Sequence, residues 1–433
     1  MSKEEISLLN KVLNHKLEEL RKGTVEVSFQ QQNPDSPLYS VDNFYSLRLK
    51  NELLERLAEL GFLMPSNIQA TALPLLLMEP PTNLIAQSQS GTGKTATFVL
   101  TMLHKVDVTK NYPQCLCMAP TLELAKQIGE VIQSLGQKIE GLKLYYATKE
   151  GKLDLTKPIT DHIIIGTPGR LIDMIQKHNL IDVSKLLCFV LDEADVMVSE
   201  QHFRTMTVVI HKFITAVNPK VQSMLFAATF DEEVRILSKN NNITIYLSIK
   251  KEMLALDSIK QFYVKCENRD KKYQALSNLY NGLSIASTII FCHTKASADW
   301  ITEKLRANGR KVLSLHGGFS AEERTNIVQQ FRNGVAKVLV TTNVSSRGLD
   351  FPQVTLVLNY DLPVIGVNMD VPDYESYYHR IGRTGRFGKS GISINLIDSE
   401  QSMVLLTKFQ EYFQKEILPL DTDDYDQIEA IQK

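Results

Sequence analysis

The most constraining stretch of this chain is Ala86-Gln87-Ser88-Gln89-Ser90-Gly91-Thr92-Gly93-Lys94-Thr95. It follows the apolar run Leu84-Ile85-Ala86 and precedes an apolar helical pattern through Phe98, Leu100 and Leu103. Strand, glycine-rich turn and helix, in that order, form the context of a phosphate-binding loop. The glycines let successive backbone N–H groups face one point. The start of the helix adds its own free N–H groups and a partial positive charge. Ser90, Gly91, Thr92 and Gly93 form the cradle, Lys94 can reach the β- and γ-phosphates, and the Thr95 hydroxyl can ligate Mg²⁺.

The surrounding sequence alternates short apolar runs with helix-length segments. Strands are expected at Leu84 to Ala86, Cys115 to Ala119, Lys143 to Ala147, His162 to Ile165, Leu186 to Leu191 and Ser223 to Phe226. That pattern predicts a parallel sheet covered on both faces, with ligands bound beyond the carboxyl ends of its strands. At 433 residues the chain exceeds a single hydrophobic core. A second αβ series has strands expected at Ile259 to Lys265, Ser287 to Cys292, Val312 to Leu315, Val338 to Thr341, Val354 to Asn359 and Gly391 to Leu396. It has no phosphate loop of its own. The expected organisation is therefore an N-terminal extension (1–39), a nucleotide-binding domain (40–248), a linker (249–258) and a second αβ domain (259–433). Ile6, Leu9, Leu13, Leu17 and Leu20 stand at helical spacing in the extension, so an amphipathic helix is expected there, either capping a groove or packing on its neighbour. The polar, proline-punctuated run Gln30 to Pro37 reads as a flexible link.

The formal net charge of -1 means that any nucleic-acid site must be a local patch. The five cysteines lack metal-ligand spacing and read as small buried hydrophobes, as fits a reducing, intracellular compartment. The N-terminus does not read as a signal peptide, and no apolar run is long enough to insert into a membrane.

The second strong signal is Val190-Leu191-Asp192-Glu193-Ala194-Asp195. A buried strand there delivers carboxylates to its wet end. Asp192 is suited to Mg²⁺, directly or through water. Glu193 can orient an attacking water and accept its proton, and Asp195 can tie the loop to a neighbouring motif. With the phosphate loop, this implies ATP or GTP hydrolysis. Gln69 has the donor and acceptor needed to read an adenine edge, although its spacing equally suits a helix surface. Phe44 could stack on a base or belong to the core. Thr167-Pro168-Gly169-Arg170 and Pro120-Thr121-Leu122-Glu123 each follow a strand and suit either a phosphate-backbone grip or a plain helix start. His379-Arg380-Ile381-Gly382-Arg383-Thr384-Gly385-Arg386 could stabilise charge developing on a γ-phosphate.

Jointly these motifs resemble the DEAD-box RNA helicases over about residues 40 to 410. The resemblance implies two tandem RecA-like α/β domains with mostly parallel sheets, preceded by an N-terminal helical extension. It implies ATP and Mg²⁺ as cofactors, with Phe44 and Gln69 at the adenine. Pro120, Thr121, Thr167, Pro168, Gly169, Arg170, Arg324, Thr342 and Gly348 are then expected at RNA or interdomain contacts, and Asp350 at the ribose. Arg383 and Arg386 are expected at the γ-phosphate, and Asp195, Ala227, Thr229 and His379 in coupling the domains. The Thr341-Thr342-Asn343-Val344 form and the Asp361 to His379 interval look most like the messenger-RNA export helicases of the nuclear pore. That likeness implies a nucleoporin partner, an activator acting with inositol hexakisphosphate, a monomer, and a place in nucleus and cytoplasm at the pore's cytoplasmic face. A helicase of translation initiation is the rival. Three departures stand out: Ala227-Ala228-Thr229 replaces Ser-Ala-Thr, Leu122 replaces a common arginine, and the usual glycine pair is absent near Tyr146 to Gly151. Alanine cannot donate the serine's hydrogen bond, which admits an ATP-gated RNA clamp with weak unwinding as an alternative.

Overall fold

The computed structural model describes residues 25–29, 43–87, 92–148, 157–199, 201–227, 245–249, 259–283, 287–343, 351, 353–366, 370–385 and 390–431. The expected helix at 6–20, the link at 30–37 and nearly all of the linker at 249–258 lie outside them, as do Ser90, Gly91, Thr229, Gly348, Asp350 and Arg386. The chain divides into two compact units, Met1–Leu254 and Ala255–Lys433.

The first unit is built on eight strands: β1 (Val25–Phe29), β2 (Leu84–Gln87), β3 (Cys115–Met118), β4 (Leu144–Ala147), β5 (Ile163–Gly166), β6 (Cys188–Asp192), β7 (Gln222–Ala227) and β8 (Ile245–Ile249). Their order is β1-β8-β2-β7-β6-β3-β5-β4. All neighbours pair in parallel except β1, which runs antiparallel to β8 with Val25 opposite Ile249. Neither β1 nor β8 was anticipated from the sequence. A strand therefore falls inside the expected N-terminal extension and joins the first sheet.

The helices of this unit are α1 (Asn51–Glu59), α2 (Asn67–Leu76), α3 (Lys94–Lys105), α4 (Leu122–Leu135), α5 (Pro168–Ile172), α6 (Ala194–Ser199) and α7 (Gln201–Val217). Residues of the strands alternate between two cores. Leu84, Ala86, Cys115, Cys117 and Val190 pack with α1 to α4 on one face. Ile85, Leu116, Met118, Leu191 and Ala227 pack with α5 to α7 on the other. Period-two alternation of apolar residues produces this double burial. All five cysteines are buried, and none forms a disulfide.

The second unit has a seven-stranded sheet of β9 (Ile259–Lys265), β10 (Thr288–Phe291), β11 (Val312–Leu315), β12 (Val338–Thr341), β13 (Leu356–Asn359), β16 (Gly391–Ile397) and β17 (Leu418–Pro419), besides a short hairpin of β14 (Val364–Ile365) and β15 (Val371–Pro372). Its order is β11-β12-β10-β13-β16-β9-β17, all parallel. The helices are α8 (Arg269–Gly282), α9 (Lys295–Ala307), α10 (Ala321–Arg332), α11 (Tyr374–Ile381), α12 (Glu400–Phe413) and α13 (Tyr425–Ala430). No helix among the described residues is long and apolar enough to cross a membrane.

Candidate nucleotide and RNA site

In the first sheet β7 lies between β2 and β6. This order sets three carboxyl ends side by side: the phosphate-loop strand, the strand ending at Ala227, and the strand ending at Asp192. Gly93 caps α3 with φ of 103°, a conformation that side chains resist. Space also demands glycine there. A Cβ would come within 2.6 Å of Gln69 Nε2 and 3.0 Å of Ser66 Oγ. Lys94 is buried, and its Nζ donates to the Ala227 carbonyl at 3.4 Å. The lysine thus joins the loop after β2 to the end of β7. Thr95 follows in the first turn of α3.

Asp192 closes β6 and accepts the Glu193 N–H at 3.1 Å. Burial and then the neighbouring Glu193 charge push its carboxyl up to about 7, against the opposing pull of Lys94. Such a carboxylate favours a nearby cation. Glu193 is buried with φ of 54°. A non-glycine residue with positive φ is uncommon, and such strained backbone gathers at functional sites. The kink lets β6 stop and α6 start at once, because Met197 N–H donates to the Glu193 carbonyl at 3.2 Å. Asp195 is fully buried, its Oδ1 accepting the Val196 N–H at 3.1 Å.

Gln69 is not on a helix surface: it is 6% exposed. Its Oε1 accepts the Ser66 N–H at 2.9 Å in a capping box at the start of α2, and Nε2 reaches the Gly93 carbonyl at 3.4 Å. Phe44 suits either base stacking or the core on sequence, and the structure places it in the core. It is 3% exposed and packs in the first core with Leu47, Leu53 and Phe98. Two aromatics nearby are open: Tyr45, beside Phe44 and 69% exposed, and Phe62, 43% exposed and four residues before Ser66. The sequence reading passed over Phe62, although its place just ahead of the Pro65-Ser66 cap was a usable signal.

The two expected RNA-gripping segments lie together. β3 and β5 are neighbours, and the Ala119 N–H donates to the Gly166 carbonyl at 3.0 Å. Pro120 and Thr121 lead into α4, where Thr121 accepts the Leu124 N–H at 3.2 Å. Thr167 leads into α5, which carries Pro168, Gly169 and Arg170. Arg170 Nε is buried with no hydrogen-bond partner among the described residues, a donor in want of an acceptor.

In the second unit Arg324 lies in the first turn of α10, after β11, while Thr342 follows the adjacent β12. Arg383 and His379 are buried at the end of α11, and Arg383 Nε donates to the His379 carbonyl at 2.9 Å. Ala227 has no exposed surface and packs in an apolar cluster.

Residues 66–237 match the DEAD/DEAH box helicase family, and 271–388 match the helicase conserved C-terminal domain. The chain belongs to the DEAD/DEAH box helicase family. It is 48% identical over 426 residues to the ATP-dependent RNA helicase DDX19B of Homo sapiens, covering 98% of this chain and 87% of that relative. S. cerevisiae Dbp5 bound to RNA and ADP BeF3 superposes with a TM-score of 0.85 at 40% identity, covering 90% of this chain and 98% of that one. A Dbp5 variant bound to Nup159, Gle1, IP6 and ADP gives a TM-score of 0.65 at 39% identity, covering 89% and 98%. The helicase fold thus accounts for both sheets.

Proposed function

We propose that this chain is an RNA-dependent ATPase and ATP-dependent RNA helicase that remodels RNA–protein complexes in messenger-RNA export. The observation that carries the chemistry is the junction after β6, where buried Asp192 and strained Glu193 stand beside the lysine of the phosphate loop. Thr95 and Asp192 offer the hard oxygen donors that fit Mg²⁺. When bound, that ion neutralises charge on the phosphate oxygens. Lys94 holds the β- and γ-phosphates. Glu193 orients the attacking water and takes its proton. Gln69 reads the adenine edge, and Phe62, in place of Phe44, stacks on the base. Asp350 meets the ribose, and Arg383 and Arg386 of the second domain stabilise the transferring phosphoryl group.

RNA is gripped by its backbone at Thr121, Thr167 to Arg170, Arg324, Thr342 and Gly348, so binding is indifferent to base sequence. Readout of the 2′-hydroxyl favours RNA over DNA. The likeness to Dbp5 in complex with Nup159, Gle1 and IP6 supports a nucleoporin, an activator and inositol hexakisphosphate as partners at the cytoplasmic face of the nuclear pore. Steady-state phosphate release with and without saturating RNA is the test. RNA should accelerate turnover, and Glu193→Gln should bind ATP without hydrolysing it. Equal rates with and without RNA would reject the coupling.

A clamp that holds RNA and unwinds poorly is the second reading, and Ala227 favours it. Its methyl sits in an apolar cluster, so no hydroxyl at this position links β7 to the Asp195 loop. One lost hydrogen bond to a charged group is worth about 1.5–3 kcal/mol, enough to shift a closed-state population. Ala227→Ser should raise duplex separation more than phosphate release. Unchanged unwinding per ATP would remove Ala227 from the coupling.

A further inference from the structure

Beneath α11 lies a chain of buried polar side chains, of which only Arg380 belongs to a motif named above. Arg380 has no exposed surface. Its Nη1 donates to Asn359 Oδ1 at 3.1 Å and to the Asp361 carbonyl at 2.7 Å. Asn359 Nδ2 donates to Asn395 Oδ1 at 2.9 Å. Asn395 Nδ2 donates to the Phe262 carbonyl at 3.1 Å and to the Tyr377 hydroxyl at 3.2 Å. The Tyr377 hydroxyl donates to Gln261 Oε1 at 2.9 Å. Every side-chain link therefore donates in one direction, from Arg380 to Gln261.

This chain crosses three strands. Asn359 ends β13, and Asn395 stands opposite it on β16. Gln261 belongs to β9. The chain also starts and nearly ends on one helix, because Tyr377 and Arg380 are three residues apart on α11 and share a face. The helix is thus pinned to the sheet at two points by directional bonds. Buried polar groups of this kind are costly unless paired, and a paired chain specifies one geometry; every link from Arg380 to Gln261 Oε1 is paired, and Gln261 Nε2 at the far end is left without a partner among the described residues. An apolar face would hold α11 equally tightly but leave its rotation less defined. Two further contacts set the pins. The Tyr377 ring stacks on Phe409 at 4.3 Å, and the Arg380 guanidinium lies over Phe291 at 5.0 Å.

Arg380 also reaches outward, with Nε 3.0 Å from Asn343 Oδ1. Asn343 directly follows Thr342, one of the residues assigned to RNA. Arg383 lies one turn beyond Arg380.

We propose that Arg380, Asn359, Asn395, Tyr377 and Gln261 form a positioning relay that fixes the rotation of α11, aims Arg383 at the transferring phosphoryl group, and ties that aim to the RNA segment through Asn343. The proposal rests on the assignment of Arg383 to the γ-phosphate. The relay residues touch neither nucleotide nor RNA; they act through Arg383 and Asn343.

The test uses the full chain and compares Tyr377→Phe, Gln261→Met, Arg383→Ala and the double variant Tyr377→Phe/Arg383→Ala. Tyr377→Phe removes the relay hydroxyl and keeps the ring on Phe409. Gln261→Met removes the last acceptor without altering α11. RNA-stimulated kcat should fall about fivefold or more in Tyr377→Phe and in the same direction in Gln261→Met, while KM for ATP changes less than twofold. The double variant should be no slower than Arg383→Ala, because the relay works through that arginine. Full kcat in Tyr377→Phe, or in Gln261→Met should the first variant not fold, overturns the proposal. So does a double variant whose loss is the product of the single losses. Failure of the underlying reading has a different signature: Arg383→Ala itself retains kcat.

Discussion

Glu193→Gln should make the protein more stable as it abolishes turnover. Burial and the Glu193 charge raise Asp192 from 3.8 to about 7. That shift corresponds to on the order of 4 kcal/mol opposing its ionised form. Desolvation is the largest cause and Glu193 the second, so removing the glutamate's charge relieves only the smaller part of that penalty, on the order of 1 kcal/mol. The sign follows from proton binding. A carboxyl raised in the folded state binds more protons there than in the unfolded chain between about pH 4 and 7, so wild-type stability falls as pH rises through that window. Glutamine keeps the shape and removes the charge. The variant should match the wild type more closely at pH 5 and exceed it by about 1 kcal/mol at pH 8, or roughly 2–4 °C in the melting of a domain this size. Loss of a general base should cost about 10²–10⁴-fold in phosphate release. The assay is thermal unfolding at both pH values with a chelator and no nucleotide, paired with steady-state hydrolysis. A variant no more stable than wild type at pH 8, or one retaining turnover within tenfold, refutes the reasoning.

Three further outcomes are expected. Gly93→Ala forces a side chain into positive φ and against the Gln69 amide; with strain of about 1–2 kcal/mol at the phosphate loop, ATP affinity measured by equilibrium titration should drop roughly tenfold. Phe62→Ala should weaken ATP binding with little change in stability, whereas Phe44→Ala, emptying a core position, should cost about 3–5 kcal/mol in unfolding experiments; the reverse pattern would return the stacking role to Phe44. His211 is held down to about 4 by burial, so the unfolded chain binds more protons between about pH 4 and 6.5 and stability should rise with pH across that window by about 3 kcal/mol; a flat profile in comparison with His211→Phe would refute it.

The phosphate loop and the acidic run were legible because each is a local pattern at a strand end. Most strands were legible for a similar reason, being apolar runs of four to seven residues between helix-length segments. β1 and β8 were missed because their pairing is long-range: Val25, Val27 and Phe29 alternate with polar residues, but their partner lies more than two hundred residues away. Pairing between segments distant in sequence also hid the relay under α11. Asn359 and Asn395 each look like a lone polar residue at the end of an apolar run, and only the register of β13 against β16 makes them a pair. Phe44 stays ambiguous in the sequence because an aromatic ahead of a nucleotide motif fits stacking or core equally; its burial favours the core. Glu193 was recognised by its carboxylate, while its strained backbone has no sequence signature in a residue that is not glycine.

The capping box of α2 makes Gln69 serve a helix before it can serve a ligand. Its Oε1 is occupied by the Ser66 N–H. If that amide turns to meet adenine, the Ser66 N–H loses its acceptor at the moment the surrounding loop closes on nucleotide. Hydrogen exchange there should then quicken on ATP binding while exchange in the first turn of α3 slows. The start of the helix becomes a reporter with inverted sign, able to distinguish a nucleotide whose base is read from one held by its phosphates alone.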